Sequence, residues 1–468
     1  MLDVNAGSDN GGVAARCDGL SRRRFVRLGA LSALGLSLPE LLQIEAAQAQ
    51  ALKDGPKPGT SSAPRSFGRA KNVLLIYLGG GLTHHDTLDP KPDAPEDIRG
   101  KYGTIATKIS GVRFTDKMPE LAKINDTFAL CRGQVTGSDH HETAAQWMLT
   151  GNYGNMQGGD YPAIGAIAAH ESKTIPGMPP YVAIPRNHSF TWELGKAAWL
   201  GERYESFKTG DCQDKDWRVP NLAPLPDVPS ERLARRTNIL RAIDDVARHV
   251  EGSDELASMD AFYKRAVQMI LSPRARDAFD LNKESDAVRE EYGGKNDRWG
   301  AQALLARRLI EADVRFVLLS YNNWDMHGKI FEGCDRDLPG FDRAVAALLR
   351  DMKRRGLLEN TLVAMYGDFG RASKINKDAG RDHWGNAGVL LFAGAGVLPG
   401  QVIGKTDTRG EYVVERPVRP PEVAATIYHA LGIDYERALM SPTGRPVAIL
   451  PECEPIHELW SGGGTGTA

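Results

Sequence analysis

The sequence predicts an α/β fold with a mostly parallel central sheet and helices on both faces. Short, almost wholly apolar runs at residues 73–78, 316–320, 361–366 and 389–393 are typical of strands buried on both sides. Amphipathic segments alternate with these runs, which indicates β–α–β units. Ligands of such sheets bind at the carboxyl ends of the strands, so the residues beside those ends are the candidates for a site.

Two helices are predicted between the runs. One covers residues 299–312, and the other covers residues 341–354. The second places its apolar residues on one helical face; these are Phe341, Val345, Leu348, Leu349 and Met352. Residues 230–290 are charged and carry few strand signals, so we expect a helical insertion or cap there. Residues 152–228, rich in Gly, Pro, Trp and Tyr, are predicted to form long loops over the sheet.

The bulk composition fits one large globular domain. The chain has 468 residues, 41% apolar and 25% charged, with a formal net charge of −2. That charge gives no electrostatic reason to expect nucleic acid or an anionic membrane as a partner. No Cys-x-x-Cys pair occurs among the five cysteines, which argues against zinc-ribbon and thioredoxin-like sites. The four cysteines outside the amino-terminal segment could form up to two disulfides, and their spacing does not say which pairs would form.

The amino terminus predicts export by the twin-arginine route. Arg22 and Arg23 lie in a basic segment that precedes a modestly apolar stretch at residues 28–42. Small residues at 46–51 then offer cleavage after Ala49 or Ala51, as in secretory signals. We therefore expect the twin-arginine machinery as a partner, a periplasmic or other extracytoplasmic location, and no stable membrane span after cleavage.

Four segments follow from this organisation. We predict a signal peptide at residues 1–51, a flexible linker at 52–70, the α/β domain at 71–452 and a tail at 453–468 with a disordered end.

Carboxylates and imidazoles gather beside the predicted strand ends. They are Asp86 after the first run, Asp325 and His327 after the second, Asp368 after the third, and Asp382 and His383 before the fourth. Asp and His together suit a divalent cation, which would polarise an ester oxygen. The alternative is a polar network that orders the loops. We favour a metal site, with zinc, manganese, calcium or magnesium as its ion.

Several motifs together resemble one bacterial family. They are Gly-Gly-Gly-x-Thr-His-x-Asp-Thr-x-Asp-Pro-Lys-Pro at 79–92, His141 with residues 148–151, Trp324-Asp325-x-His327, residues 367–371 and residues 380–384. The pattern is similar to the "domain of unknown function 1501" family from about residue 70 to 435. Members usually carry a twin-arginine signal. The family looks like a branch of the alkaline phosphatase and sulfatase superfamily, which implies an α/β sandwich that hydrolyses phosphate or sulfate esters with bound metal.

The resemblance implies roles for individual residues. Asp325, His327, Asp368 and His383 match metal-ligand positions of the superfamily. Thr83 or Thr87 lies where a hydroxyl nucleophile is expected, and it would need a metal or a base for activation. Arg371 could hold an anionic oxygen of the substrate bidentately, or it could form an ion pair at the surface.

The chain also departs from the superfamily pattern. Gly79 or Gly80 occupies the place of a metal-binding Asp after the first strand, and Phe369 follows Asp368 where His or Asn is common. Four residues could replace the missing ligand: His84, His85, Asp86 and Asp382. The glycines could instead present backbone amides to an anion. The Cys/Ser-x-Pro-x-Arg motif of formylglycine sulfatases is absent from the sequence.

Three functions remain open at this point. The first is a metal-dependent hydrolase of phosphate or sulfate esters, acting on an anionic ester. The second is a non-catalytic relative that binds an envelope glycan, another envelope component or a partner protein. The third, a redox accessory, has no haem or iron–sulfur motif to support it and ranks last.

Overall fold

The structure is a computed structural model. It describes residues 66–154, 161–172, 177–186, 195–214, 272–295, 297–441, 443–450 and 452–462, together with positions 175, 217, 219, 268 and 269. Residues 64–468 form one compact unit. The predicted export signal with Arg22 and Arg23 therefore lies outside the described residues, as do most of the predicted insertion and much of the predicted loop region.

Eight strands form the central sheet and eight more form two-stranded hairpins. In chain order the strands are β1 (Asn72–Leu78), β2 (Thr104–Ala106), β3 (Arg113–Thr115), β4 (Ala129–Cys131), β5 (Tyr181–Ile184), β6 (Phe207–Lys208), β7 (Phe316–Tyr321), β8 (Thr361–Gly367), β9 (Gly370–Arg371), β10 (His383–Trp384), β11 (Leu390–Ala393), β12 (Val402–Ile403), β13 (Lys405–Thr406), β14 (Val413–Glu415), β15 (Ala438–Met440) and β16 (Pro446–Ala448).

The described helices surround this sheet. They are α1 (Glu96–Arg99), α2 (Pro119–Ala122), α3 (His141–Thr150), α4 (Ile164–His170), α5 (Pro273–Phe279), α6 (Asp286–Glu291), α7 (Arg298–Glu311), α8 (Ile330–Arg354), α9 (Pro420–Leu431) and α10 (Glu458–Ser461). None of the helices in the described part of the chain is both long enough and apolar enough to cross a membrane.

The central sheet is mostly parallel, as predicted. Its strand order is β12-β4-β11-β8-β1-β7-β5-β6. Within it, β11 runs antiparallel to both neighbours, β4 and β8, whereas the other pairs are parallel. The prediction of a further parallel strand at residues 389–393 is thus wrong in direction. Because β11 is reversed, the residues that precede it lie at the same edge as the residues that follow β8 and β1.

The bounds predicted from the sequence for the main strands and for one of the two helices agree closely with the structure. The strands β1, β7, β8 and β11 differ from the predicted runs by one residue at an end. Helix α7 also matches to within one residue, but α8 begins at Ile330, eleven residues before the predicted start. The added turns contain Pro339 and the charged segment at residues 335–338, which masked the helical pattern.

Two hydrophobic layers pack against opposite faces of the sheet. Alternate residues of β1 divide between them, with Leu74 and Ile76 on one face and Val73 and Leu75 on the other. Helices α7 and α8 cover the first face, and α3, α4 and α9 cover the second. The prediction of helices on both faces is confirmed.

Residues near both ends of the described body are packed. Ser66 donates to or accepts from His429 Nε2 at 2.9 Å, and the backbone of Ala70 bonds to α9, so the end of the predicted linker is packed. At the other terminus Ile456 and Leu459 are fully buried. The last described residue is Gly462. The four cysteines of this body are free thiols.

Candidate metal centre

Four loops meet at one edge of the sheet. His141 begins α3 after β4, Asp325 and His327 follow β7, Asp368 follows β8, and His383 precedes β11. Parallel strands end at the same edge, and the reversed β11 starts there, so these loops are neighbours in space although they are distant in sequence. The sequence prediction that Asp/His segments would converge agrees with this arrangement.

Three imidazole nitrogens surround one carboxylate oxygen. The Oδ1 atom of Asp325 lies 3.1 Å from His327 Nε2, 3.1 Å from His383 Nε2 and 3.3 Å from His141 Nε2. The two nitrogens of His327 and His383 are 2.8 Å apart. Ligand-capable atoms of His141, Asp325 and His383 all lie within 4.8 Å of one another. The name histidine cluster is used below for His141, Asp325, His327 and His383.

An oxygen acceptor fixes the other nitrogen of each ring. His141 Nδ1 donates to Asp368 Oδ2 at 2.8 Å, and His327 Nδ1 donates to Asp382 Oδ1 at 2.9 Å. His383 Nδ1 donates to the carbonyl of Asp139 at 2.7 Å. Metal-binding histidines are held in this way, with the outer ring N–H on a carboxylate or carbonyl.

This hydrogen bonding makes the cluster suitable for a cation. When Nδ1 carries the hydrogen, a neutral ring presents the Nε2 lone pair. Three such lone pairs then face a carboxylate oxygen, and they repel one another unless a cation or protons lie between them. Histidine nitrogens and one carboxylate are the donor set of zinc and related divalent ions. The residues present therefore fit the metal that the sequence predicts.

Hydrogen bonds between the charged groups of the cluster shift the pKa values of His141 and Asp325 strongly. Burial lowers the pKa of His141, but hydrogen bonds to Asp325 and Asp368 outweigh it and raise that pKa to about 9. Burial raises the pKa of Asp325, yet hydrogen bonds from His141, His383 and Arg371 hold it well below its usual range. Asp325 is thus an anion that recruits positive charge, from protons or from a metal ion.

Asp368 supports the cluster from a fully buried position. Its carboxylate accepts hydrogen bonds from Tyr77 Oη and from the backbone N–H of Gly80, the latter at 3.0 Å, besides the one from His141. The structure therefore places this predicted ligand behind His141, where it orients the ring. Asp382, by contrast, is exposed and orients His327 with support from Asn376 Nδ2 at 3.1 Å.

Arg371 is wholly buried and bonded to the protein. Its guanidinium donates to Asp325 Oδ1 at 2.6 Å and to four backbone carbonyls; those carbonyls belong to Gly80, Gly81, Trp324 and Arg381. These five acceptors occupy the N–H groups of the guanidinium. The arginine is therefore better placed to hold Asp325 than to bind a substrate anion. Of the two roles considered from the sequence, the structure favours the ion pair, but it is buried and not at the surface.

The glycines after β1 leave room for neighbouring backbone. Gly80 has φ +101°, and a Cβ atom built on it would lie 2.5 Å from the backbone nitrogen of Asp325. An Asp at this position would displace the loop that carries the cluster. The amides of Gly79, Gly80 and Gly81 donate to Tyr321, Asp368 and Leu78. They are used inside the protein, which disfavours an anion nest.

The predicted nucleophiles and spare ligands belong to a neighbouring buried network. Thr83 donates to Asp86 Oδ2 at 2.7 Å, and Asp86 forms a fully buried ion pair with Arg381. The Thr87 hydroxyl donates to the Thr83 carbonyl at 2.5 Å. None of these three contacts reaches the histidine cluster. Asp86 thus neutralises an arginine, and Thr83 stabilises the turn that carries it.

His84 and His85 also face away from the cluster. Their Nε2 atoms bond to the carbonyls of Gly410 and Arg409, at 2.7 and 2.8 Å. Burial lowers the pKa of both rings, so they are neutral at physiological pH. Their hydrogen bonds anchor the loop between β13 and β14.

His141 is the site residue that sequence reasoning left out of the ligand set. It follows β4, a strand of three residues that gives no clear apolar run. The signal that could have found it is the density of polar groups at Asp139, His140, His141 and Glu142, immediately before an apolar helical segment.

A polar cleft opens beside the cluster. It has a volume of about 800 Å³ and is lined on one side by Gly79, Asp325 and His327. The rest of its wall comes from Arg186, Asn322, Asn323, Met326, Gly328, Lys329, Glu332, Gly333 and Arg336. The carboxyl ends of β1, β5 and β7 thus border the cleft, as expected for a ligand site in an open parallel sheet.

Fold and site together define an α/β protein with a histidine–aspartate centre at the carboxyl edge of a mostly parallel sheet. The chain belongs to the family described as protein of unknown function (DUF1501), whose model matches residues 70–460. The resemblance found in the sequence is confirmed by this match. Among curated proteins, none matches this chain.

Several solved structures resemble the chain weakly. One is Ps i-CgsB in complex with k-i-k-neocarrahexaose, with 13% identity and a TM-score of 0.37, covering 78% of this chain and 72% of that one. Phosphonate monoester hydrolase of Agrobacterium radiobacter has 13% identity and a TM-score of 0.35, with 84% and 77% covered. TAB5 alkaline phosphatase, a mutant with bound Mg, has 14% identity and a TM-score of 0.31, with 79% and 99% covered. Scores this low leave function to be argued from the chain's own residues.

Proposed function

We propose that this protein is an exported, metal-dependent hydrolase of phosphate or sulfate esters. The observation that carries the proposal is the convergence of three histidine Nε2 atoms on Asp325 Oδ1, with each Nδ1 held by an oxygen. A polar cleft gives this centre access to solvent and to a substrate. The sequence resemblance, which implies hydrolysis of phosphate or sulfate esters with bound metal, supports the same chemistry.

The residues divide into those that hold the ion and those that hold the ligands. His141, His327, His383 and Asp325 would bind it, while Asp368, Asp382 and the Asp139 carbonyl keep the rings oriented. Arg371 supplies a fixed positive charge behind Asp325. The described residues offer one group of ligand atoms close enough to share an ion, so we expect one ion per chain.

A bound divalent ion would supply Lewis acidity toward the ester oxygen and would favour ionisation of a water molecule. Thr83 and Thr87 donate their hydroxyls within a buried turn, which makes them poor candidates for the nucleophile. We therefore favour attack by water over attack by a side chain.

Export by the twin-arginine route is part of the proposal and depends on the sequence alone. Arg22, Arg23 and the small-residue exit at 46–51 support it. Since that route carries folded proteins, the histidine cluster would form, and could acquire its ion, before export.

Elemental analysis of the protein purified without chelators tests the metal centre. We expect about one equivalent of zinc, manganese, calcium or magnesium, lost in Asp325→Ala and His383→Ala. His457→Ala removes an exposed histidine outside the cluster and should keep both the metal and the turnover of aryl phosphate or sulfate esters. Retention of metal and rate in His383→Ala would contradict the proposal.

One observation favours a non-catalytic binding protein as the second candidate. The guanidinium of Arg371 already neutralises Asp325, so the cluster could persist as an ordering network without an ion. In that case the wild-type protein would contain no metal after incubation with each ion, yet it would still bind an envelope glycan or a partner protein in the cleft.

A further inference from the structure

The cleft continues from the histidine cluster along the first turns of α8. Its lining includes Lys329, Glu332, Gly333 and Arg336, which recur at the spacing of one helical face. Seven residues of helix correspond to roughly 10 Å along the axis. The cleft is therefore longer than a single phosphate or sulfate group requires.

Positive charge predominates along the cleft. Three cations line it, Arg186, Lys329 and Arg336, against the carboxylates of Asp325 and Glu332. Lys329 forms an ion pair with Glu332 at 3.4 Å, and Arg336 forms one with Asp337 at 2.7 Å. A cleft with an excess of cations concentrates anions and increases their rate of association.

Arg186 is the cation of the cleft for which the described residues supply no carboxylate partner. It is exposed and follows β5, and it forms no ion pair with the residues that the structure describes. A guanidinium is a planar fork of donors that matches sulfate and phosphate oxygens. Asn322 and Asn323, which follow the neighbouring strand β7, add amide groups to the same wall.

We infer that the cleft binds an oligomeric anion, a chain with two or more sulfate or phosphate groups, and that Arg186 holds a group beyond the one at the histidine cluster. This inference rests on the proposed function for the reacting group, and it adds the substrate class. Arg186 is a specificity residue in this scheme, and it takes no part in holding the metal. A small monoester would engage the cluster alone and would gain nothing from Arg186.

Calorimetric titration of the metal-saturated protein tests the inference with three probes. They are inorganic sulfate, a heparin-derived oligosaccharide and a short-chain polyphosphate. We expect one of the two oligomers to bind at least about tenfold more tightly than sulfate, because a second charge-assisted contact is formed. Which oligomer binds more tightly identifies sulfate or phosphate as the recognised group.

The variant Arg186→Gln should lose about tenfold in affinity for that oligomer and keep its metal content and its affinity for inorganic sulfate. Arg445→Gln, which removes an exposed arginine of the β15–β16 hairpin that does not line the cleft, should behave as wild type. Equal affinity of wild type and Arg186→Gln for the oligomers, or no binding of either oligomer, would overturn the inference.

The two proposals fail separately. If the protein holds metal but binds the oligomers independently of Arg186, the hydrolase stands and the inference falls. If the protein holds no metal, the same titration on the metal-free chain decides: Arg186-dependent binding supports the anion cleft, and Arg186-independent binding overturns it.

Discussion

Arg371 donates a hydrogen bond of 2.6 Å to Asp325 Oδ1 from a position with no solvent exposure. The same oxygen faces the three histidines of the cluster. The arginine thus fixes the position of the one carboxylate on which the whole centre depends, and it also satisfies four backbone carbonyls of the surrounding loops.

Replacing this arginine should destabilise the fold as well as the site. We expect Arg371→Met to lower the free energy of unfolding by about 3 kcal/mol or more, because it leaves buried carbonyls and the Asp325 carboxylate without their partner. Urea denaturation followed by circular dichroism, with chelator present, measures this without a contribution from bound metal. Arg445→Met, at an exposed position, is the control, and an equal small effect of both changes would contradict the structural role of Arg371.

Gly80 should be intolerant of even one added carbon. In Gly80→Ala the new Cβ atom would lie 2.5 Å from the Asp325 nitrogen, and φ is +101°. Gly444 also has a positive φ, +77°, but no atom lies within 4 Å of its Cβ position.

We therefore expect Gly444→Ala to cost about 1 kcal/mol for the backbone conformation alone. Gly80→Ala should cost about 3 kcal/mol, since a clash is added to that strain, and it should weaken metal binding by moving Asp325. Thermal or urea unfolding together with metal titration checks both. If the two variants lose the same stability and keep the same metal affinity, the close approach of the Asp325 backbone to Gly80 does not restrict which residue can occupy position 80.

The Asp382 carboxylate should influence metal affinity through His327 without influencing stability. It is 60% exposed and accepts from His327 Nδ1 at 2.9 Å. In Asp382→Asn the ring loses its anionic partner, and we expect metal affinity to fall about tenfold. Competition titration with a metal indicator measures this, and Glu359→Gln serves as an exposed carboxylate-to-amide control. An unchanged affinity in Asp382→Asn would exclude His327 from the ligand set.

Asp89 should contribute to the loss of stability in acid. Burial raises the pKa of this fully buried carboxylate, but the charges of Arg132 and Lys91 outweigh it and lower the pKa to about 2. The unfolded chain therefore binds the proton first as the pH falls. The stabilisation is complete above about pH 4 and is lost as the pH falls toward 2.

The difference in unfolding free energy between wild type and Asp89→Asn should accordingly shrink by about 2 kcal/mol from pH 5 to pH 2. Urea titrations at several pH values measure this difference, and each protein is compared with itself across the range. A difference that does not depend on pH would mean that the Asp89 pKa is the same in the folded and unfolded chains.

The sequence by itself determined the strands, the principal helices and most of the polar groups at the site. The runs that became β1, β7 and β8 are apolar on both faces, so local composition was enough to find them. Strand ends then indicated Asp325, His327 and His383, because the carboxyl ends of parallel strands share an edge of the sheet.

Only the tertiary structure decided which groups face the centre. The reversed direction of β11 depends on its pairing with β4 and β8, and no local pattern specifies such a pairing. The roles of Arg371 and Thr83 depend on backbone carbonyls and carboxylates elsewhere in the chain. Hydrogen-bond partners that are hundreds of residues apart in sequence are determined by how the loops pack. Residue type alone therefore suggested that Arg371 holds an anion and that Thr83 is a nucleophile. In the fold, Arg371 forms an internal ion pair and Thr83 belongs to a buried turn.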